Sequence, residues 1–133
     1  AAVQMQQLHN AKVPEDFQDL LNLPGIGRST AGAIMALAYQ QRFPILDGNV
    51  KRVLARYDAI KIWPGEKQAE SAMWRRAEQL LPTERIANYI QAQMDLGATL
   101  CTRSRPDCKT CPLQTDCQAF ATGEPTLFPI HNT

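Results

Sequence analysis

The sequence predicts an all-α fold. Three observations lead there: apolar residues recur at three- and four-residue intervals, no stretch sustains strand-like alternation, and proline or glycine clusters divide the helical stretches. The first helix is expected over Pro14–Leu21, where Phe17, Leu20 and Leu21 share a face. Pro14 is tolerated at a first helical position, and Glu15 and Asp16 favour the first turn. Leu23, Pro24, Gly25, Ile26 and Gly27 must break it, and small and apolar residues from Ser29 to Tyr39 propagate a second helix. The unit therefore reads as helix, tight hairpin, helix, with Ile26 turned inward. Phe43 and Pro44 end it.

Asp47, Gly48 and Asn49 open a third helix whose buried positions are expected at Val50, Val53, Leu54 and Tyr57, with Lys51, Arg52 and Arg56 on its outer face. Trp63, Pro64 and Gly65 form a turn. Glu66 to Leu81 repeats Ala69, Met73, Ala77 and Leu80 at helical intervals, widened by Trp74 and Leu81, until Pro82 closes it. Thr83 is the expected N-cap of a last helix bearing Ile86, Tyr89, Ile90, Met94 and Gly97, which leads directly to Cys101. Trp63, Trp74 and Tyr89 are assigned to the core. After Cys117 the composition turns to Gly123, Pro125 and Pro129, so 118–133 is expected to be a linker or frayed tail.

With 133 residues, one domain and one core are expected. The formal charge of +1 excludes binding a polyanion by bulk basicity, so any such contact must be local. No apolar run reaches the ~18 residues of a membrane span, and no signal peptide precedes the first helix, so a soluble cytoplasmic protein is expected. The start at Ala1, without methionine, suggests a trimmed piece of a longer chain.

The four cysteines, Cys101, Cys108, Cys111 and Cys117, are separated by six, two and five residues. So local a cluster closes only small loops, which makes a disulfide framework the weaker reading and a shared metal the better one. Two residues between Cys108 and Cys111 suit zinc or an iron–sulfur cluster. The long first gap departs from paired zinc knuckles and favours the cluster, although geometry leaves both open. Pro106 and Pro112 stiffen the loop. In the hairpin, Gly25 and Gly27 allow close backbone approach, and the amides of Gly27, Arg28 and Ser29 would present a helix N-terminus to an anion such as a DNA phosphate. Asp47 stands where a carboxylate is either an N-cap or a catalytic group. His9 and His131 match no chemistry and are read as surface or tail.

Residues 23–34, residues 45–56 and the four-cysteine loop together resemble the helix-hairpin-helix DNA glycosylases, specifically the MutY-type adenine glycosylases of the endonuclease III superfamily. The resemblance implies a partial glycosylase domain over 1–117, with its hairpin at 23–30 and cluster loop at 101–117. It implies a [4Fe-4S] cluster on Cys101, Cys108, Cys111 and Cys117, and a DNA-gripping hairpin of Gly25, Ile26, Gly27, Arg28, Ser29 and Thr30 that can also hold a monovalent cation. Asp47 becomes the catalytic aspartate. Related endonuclease III enzymes carry a catalytic lysine at the position of Ser29, so a monofunctional glycosylase is implied. Its substrate would be double-stranded DNA with adenine opposite guanine or 8-oxoguanine, its role base excision repair, its setting the bacterial nucleoid, and its state a monomer.

The family's general-acid glutamate precedes the matched region. Glu15, Glu66, Glu70, Glu78 and Glu84 read as solvated or first-turn charges, so the isolated chain is expected to be inactive. The alternatives are a non-enzymatic DNA-binding module stabilised by a metal site, and a zinc-stabilised or electron-transfer protein.

Overall fold

A computed structural model describes residues 15–130. Among them every regular element is helical: α1 (Phe17–Leu21), α2 (Arg28–Tyr39), α3 (Gly48–Tyr57), α4 (Lys67–Gln79), α5 (Ile86–Asp95), a π-helical turn (Leu96–Leu100), α6 (Gln118–Ala121) and a 3-10 turn (Pro125–Leu127). Pro14, His9 and His131 lie outside the described residues. The expectation of one core is not met, because the chain divides into two compact units: residues up to Ile45 with Leu81–Ile90, and Leu46–Leu80 with the residues from Gln91 on.

The first unit is built around the hairpin. Leu20, Leu23, Ala31 and Met35 are buried, with Phe17, Ile26, Ile34, Tyr39 and Phe43 packed against them. Burying a leucine of this kind contributes roughly 2 kcal/mol. The Phe17 and Phe43 rings stack at 4.7 Å. Asp16 lies one position outside the expected first turn: it is the N-cap of α1, accepting from the Gln18 and Asp19 amides. Thr83 is not the N-cap of α5. The helix begins at Ile86, Arg85 precedes it at φ 55°, and the Arg85 carbonyl accepts from the Tyr89 amide. Gln40 supplies the missing cap from a distance, its Oε1 accepting from the Ala87 amide at 3.2 Å.

In the second unit α3 buries Val50, Val53, Leu54 and Ala55, and α4 buries Ala69, Met73 and Ala77. Asp58 and Arg76 form a two-point ion pair between the end of α3 and α4. Trp63 is not core: it is 40% exposed, with its indole lying against Gly65. The stretch after Cys117, expected to be a linker or tail, is packed. Ala119 and Phe128 are buried, α6 lies against α3, and a segment punctuated by Gly123, Pro125 and Pro129 still supplies enough apolar anchors to fold back.

Candidate functional site

The hairpin takes its shape from glycine where shape demands it. Gly25 adopts φ 81°, in the left-handed region, and the turn closes through Ile26 N–H to the Leu23 carbonyl at 3.3 Å. Gly27 is the N-cap of α2 and offers no side chain to it, so nothing from the capping residue blocks the helix N-terminus. Gly25, Gly27, Arg28 and Thr30 are exposed, Ser29 is half-buried in the first turn of α2, and Ile26 packs into the core as expected.

Asp47 lies in the second unit. Its Oδ1 accepts from the Val50 amide at 2.8 Å, making it the N-cap of α3, and the residue is exposed. Among the described residues Oδ2 has no partner. One carboxylate oxygen is thus fixed by the helix while the other faces outward.

The helix that begins at Asp47 reaches the cysteine loop through two arginines. Arg52 Nε donates to the Cys101 carbonyl at 2.8 Å and Nη2 to the Gly97 carbonyl at 2.6 Å and Asn49 Oδ1 at 3.1 Å. Arg56, one turn on, donates from Nη1 to the Thr102 carbonyl and to Cys101 Sγ, from Nη2 to the Arg103 carbonyl, and from Nε to the Phe128 carbonyl. The expected outer-face placement is wrong for Arg56, which is 2% exposed, while Arg52 is half-buried. The π-helical turn aims the chain at this point. Its Cys101 N–H to Leu96 carbonyl bond, 2.8 Å long, brings Gly97 against Asn49.

Cys101, Cys108, Cys111 and Cys117 are all free, half-buried, and line one cavity. Burial pushes the Cys108 thiol up from its ordinary range; the charges of Cys101, Cys117 and Cys111 add to this, and the Arg56 guanidinium opposes it. Among the described residues no three His, Cys, Asp or Glu side chains converge tightly enough for a single ion. The rest of the cavity wall is mostly apolar, with Leu100, Pro106 and Phe120 among its members. Arg103, Arg105 and Lys109 are exposed on the loop.

The helix-hairpin-helix motif model matches residues 8–37, a span that includes the whole glycine turn. The adenine DNA glycosylase of Buchnera aphidicola subsp. Schizaphis graminum (strain Sg) is 44% identical over 119 residues, covering 90% of this chain and 34% of the relative. That of Homo sapiens is 43% identical over 111 residues, covering 84% of this chain and 20% of the relative. The solved structure of a thermostable thymine-DNA glycosylase matches with a TM-score of 0.78 at 27% identity, over 90% of this chain and 55% of that one. The chain thus carries a helix-hairpin-helix motif and, over most of its length, is similar to part of the adenine DNA glycosylases and to the fold of a DNA glycosylase.

The chain spans about a third of the length of the Buchnera relative. The structure groups its site residues unevenly: the four thiols come together, and Asp47 shares a helix with the arginines that hold their loop, whereas the hairpin belongs to the other unit. Sequence reasoning missed Arg52 and Arg56 as site residues. Their signal was available, because Asn49, Arg52 and Arg56 follow one helical stripe beside Val53.

Proposed function

We propose that this chain is the part of an adenine DNA glycosylase that grips the DNA backbone and supplies the carboxylate for base removal. The substrate is adenine opposite guanine or 8-oxoguanine in double-stranded DNA, and the role is base excision repair. The supporting observation is the Asp47 carboxylate, exposed and held by the Val50 amide, in a chain whose sequence relatives are adenine DNA glycosylases.

Cleaving an N-glycosidic bond builds positive charge on the sugar, and a fixed carboxylate stabilises that charge where it develops. Asp47 fills this role and then traps the cation or orients water. The departing adenine must be protonated, and the base must first leave the helical stack. No glutamate in this chain is assigned as the acid: Glu66 precedes α4 as its N-cap and Glu70 lies 3.9 Å from Lys51. We assign the acid to a part of the protein outside this sequence, so the chain alone releases no adenine. Ser29 cannot form the Schiff base of a lysine, and the reaction stops at hydrolysis. The hairpin residues Gly25 to Thr30 take a DNA phosphate on the N-terminus of α2, and a monovalent cation on the hairpin carbonyls belongs to the same reading.

The donor set fits a [4Fe-4S] cluster on Cys101, Cys108, Cys111 and Cys117. Four free thiols line one cavity, and four cysteine sulfurs are the donor set such a cluster takes. Such a cluster, when bound, braces the loop, since hydrolysis needs no electron. The glycosylase portion, 1–117, is taken to include the packed segment up to Phe128. Among the described residues no helix is long and apolar enough to cross a membrane; the nucleoid is the setting that a DNA substrate calls for.

The test is Asp47→Asn in the full-length protein, assayed by single-turnover adenine release and by binding to an adenine–8-oxoguanine duplex. Release should be lost with binding retained. Unchanged release would sink the enzymatic role of Asp47 and leave a DNA-binding module.

A further inference from the structure

The cavity of the four thiols has a wall made by a segment that the cysteine chemistry does not itself require. Phe120 and Pro125 line it together with Leu100 and Pro106. Outside lies a second, open hollow whose lining again includes Pro106, Cys108, Phe120 and Pro125. Pro106, Phe120 and Pro125 thus form part of the wall shared by the two spaces. Phe120 is 37% exposed, as expected of a ring with one side in water and the other on the cavity, whereas Leu127 on the same segment is 57% exposed and lines neither space. The segment is fastened at both ends. Ala119 is fully buried against α3, and the Phe128 carbonyl accepts from Arg56 Nε at 2.9 Å with Phe128 itself 7% exposed.

We propose that Gln118–Phe128 is a lid over the thiol cavity, with Phe120 and Pro125 as its apolar panel and the Arg56–Phe128 hydrogen bond as its latch. The lid sets the rate at which water and chelators reach a metal group held by the four cysteines, and Cys108, which borders both spaces, is the ligand they meet first. An apolar shell controls solvent access to a metal site in this way. The inference rests on the reading of the cysteines as metal ligands and reaches beyond it, since ligation alone does not call for a cover.

The experiment uses the full-length protein as purified. Iron, sulfide and zinc are assayed first; then the metal is drawn off by excess colorimetric chelator and the release rate measured. Phe120→Ser should release metal about tenfold faster than the parent. Phe120→Leu should restore a parent-like rate, and Leu127→Ser should leave it unchanged. A parent-like rate in folded Phe120→Ser overturns the lid. Should Phe120→Ser fail to fold, Pro125→Ala opens the same panel from its other side, and a parent-like rate there overturns the proposal equally. Zinc in place of iron would defeat the cluster reading while the lid is still tested. A protein isolated with neither metal overturns both.

Discussion

Arg56 and Phe128, 72 positions apart, are joined by a 2.9 Å hydrogen bond from the guanidinium Nε to the backbone carbonyl. The same guanidinium reaches the Thr102 and Arg103 carbonyls and Cys101 Sγ, and the Arg56 carbonyl accepts from Cys117 Sγ at 3.5 Å. Among the described residues no carboxylate pairs with it. A buried cation satisfied by carbonyl dipoles and the Cys101 sulfur gains most when that sulfur is a thiolate, the form in which a cysteine binds metal. Arg56→Met should therefore cost at least about 3 kcal/mol, because three carbonyls lose their donor. Arg56→Lys should cost less but remain harmful, since an ammonium cannot span the same acceptors. Denaturant midpoints of the metal-loaded, full-length variants check both.

Metal removal should act on the same hub. With the thiols no longer held together, backbone hydrogen exchange should rise in residues 101–128 and change little in α4, whose buried face of Ala69, Met73 and Ala77 is built independently of the loop. Exchange mass spectrometry of loaded and stripped protein measures this. Equal increases in both regions would contradict it.

Two glycines near the start of α3 should respond in opposite ways. A Cβ at Gly97 would fall 2.9 Å from the Asn49 Cβ and 3.2 Å from its carbonyl oxygen, so Gly97→Ala should cost about 1–3 kcal/mol by forcing the π-helical turn away from α3. At Gly48 a Cβ meets nothing within 4 Å, and Gly48→Ala should leave stability unchanged or raise it by up to about 1 kcal/mol. Thermal unfolding of the pair decides.

Asp47 should separate folding from catalysis. Asparagine can still accept from the Val50 amide, so Asp47→Asn should unfold like the parent, while Asp47→Ala loses the cap and about 1 kcal/mol. Loss of adenine release in Asp47→Asn is then attributable to the missing charge.

The basic loop gives a test on DNA. Arg105 is exposed beside the thiol cavity, and Arg105→Glu should weaken binding to DNA of any sequence and reduce the salt slope by about 1 or more. An unchanged slope would place the loop away from the phosphates.

Local grammar carried much of the fold. Gly25 and Gly27 between apolar runs announced the hairpin, and the crowding of four sulfurs into 101–117 announced their cavity, because both signals are written in adjacent residues. Arg56 was misplaced because charge in a helix ordinarily marks the wet face. Only acceptors from Cys101, Thr102, Arg103 and Phe128, all distant in sequence, turn it inward. Thr83 misled for a related reason: the polar group that caps α5 belongs to Gln40, and no periodicity links the two. Trp63 shows the limit of hydrophobicity alone, since Gly65 gives its indole a resting place at the surface.

The wider winding at Leu96–Leu100 makes the stretch between α5 and the first sulfur intolerant in length as well as at Gly97. One residue inserted there would swing Cys101 by roughly a quarter turn around the axis. Arg52 and Arg56, fixed on their own helix, could not follow. Drift in this segment should thus exchange side chains away from Gly97 and almost never gain or lose a residue.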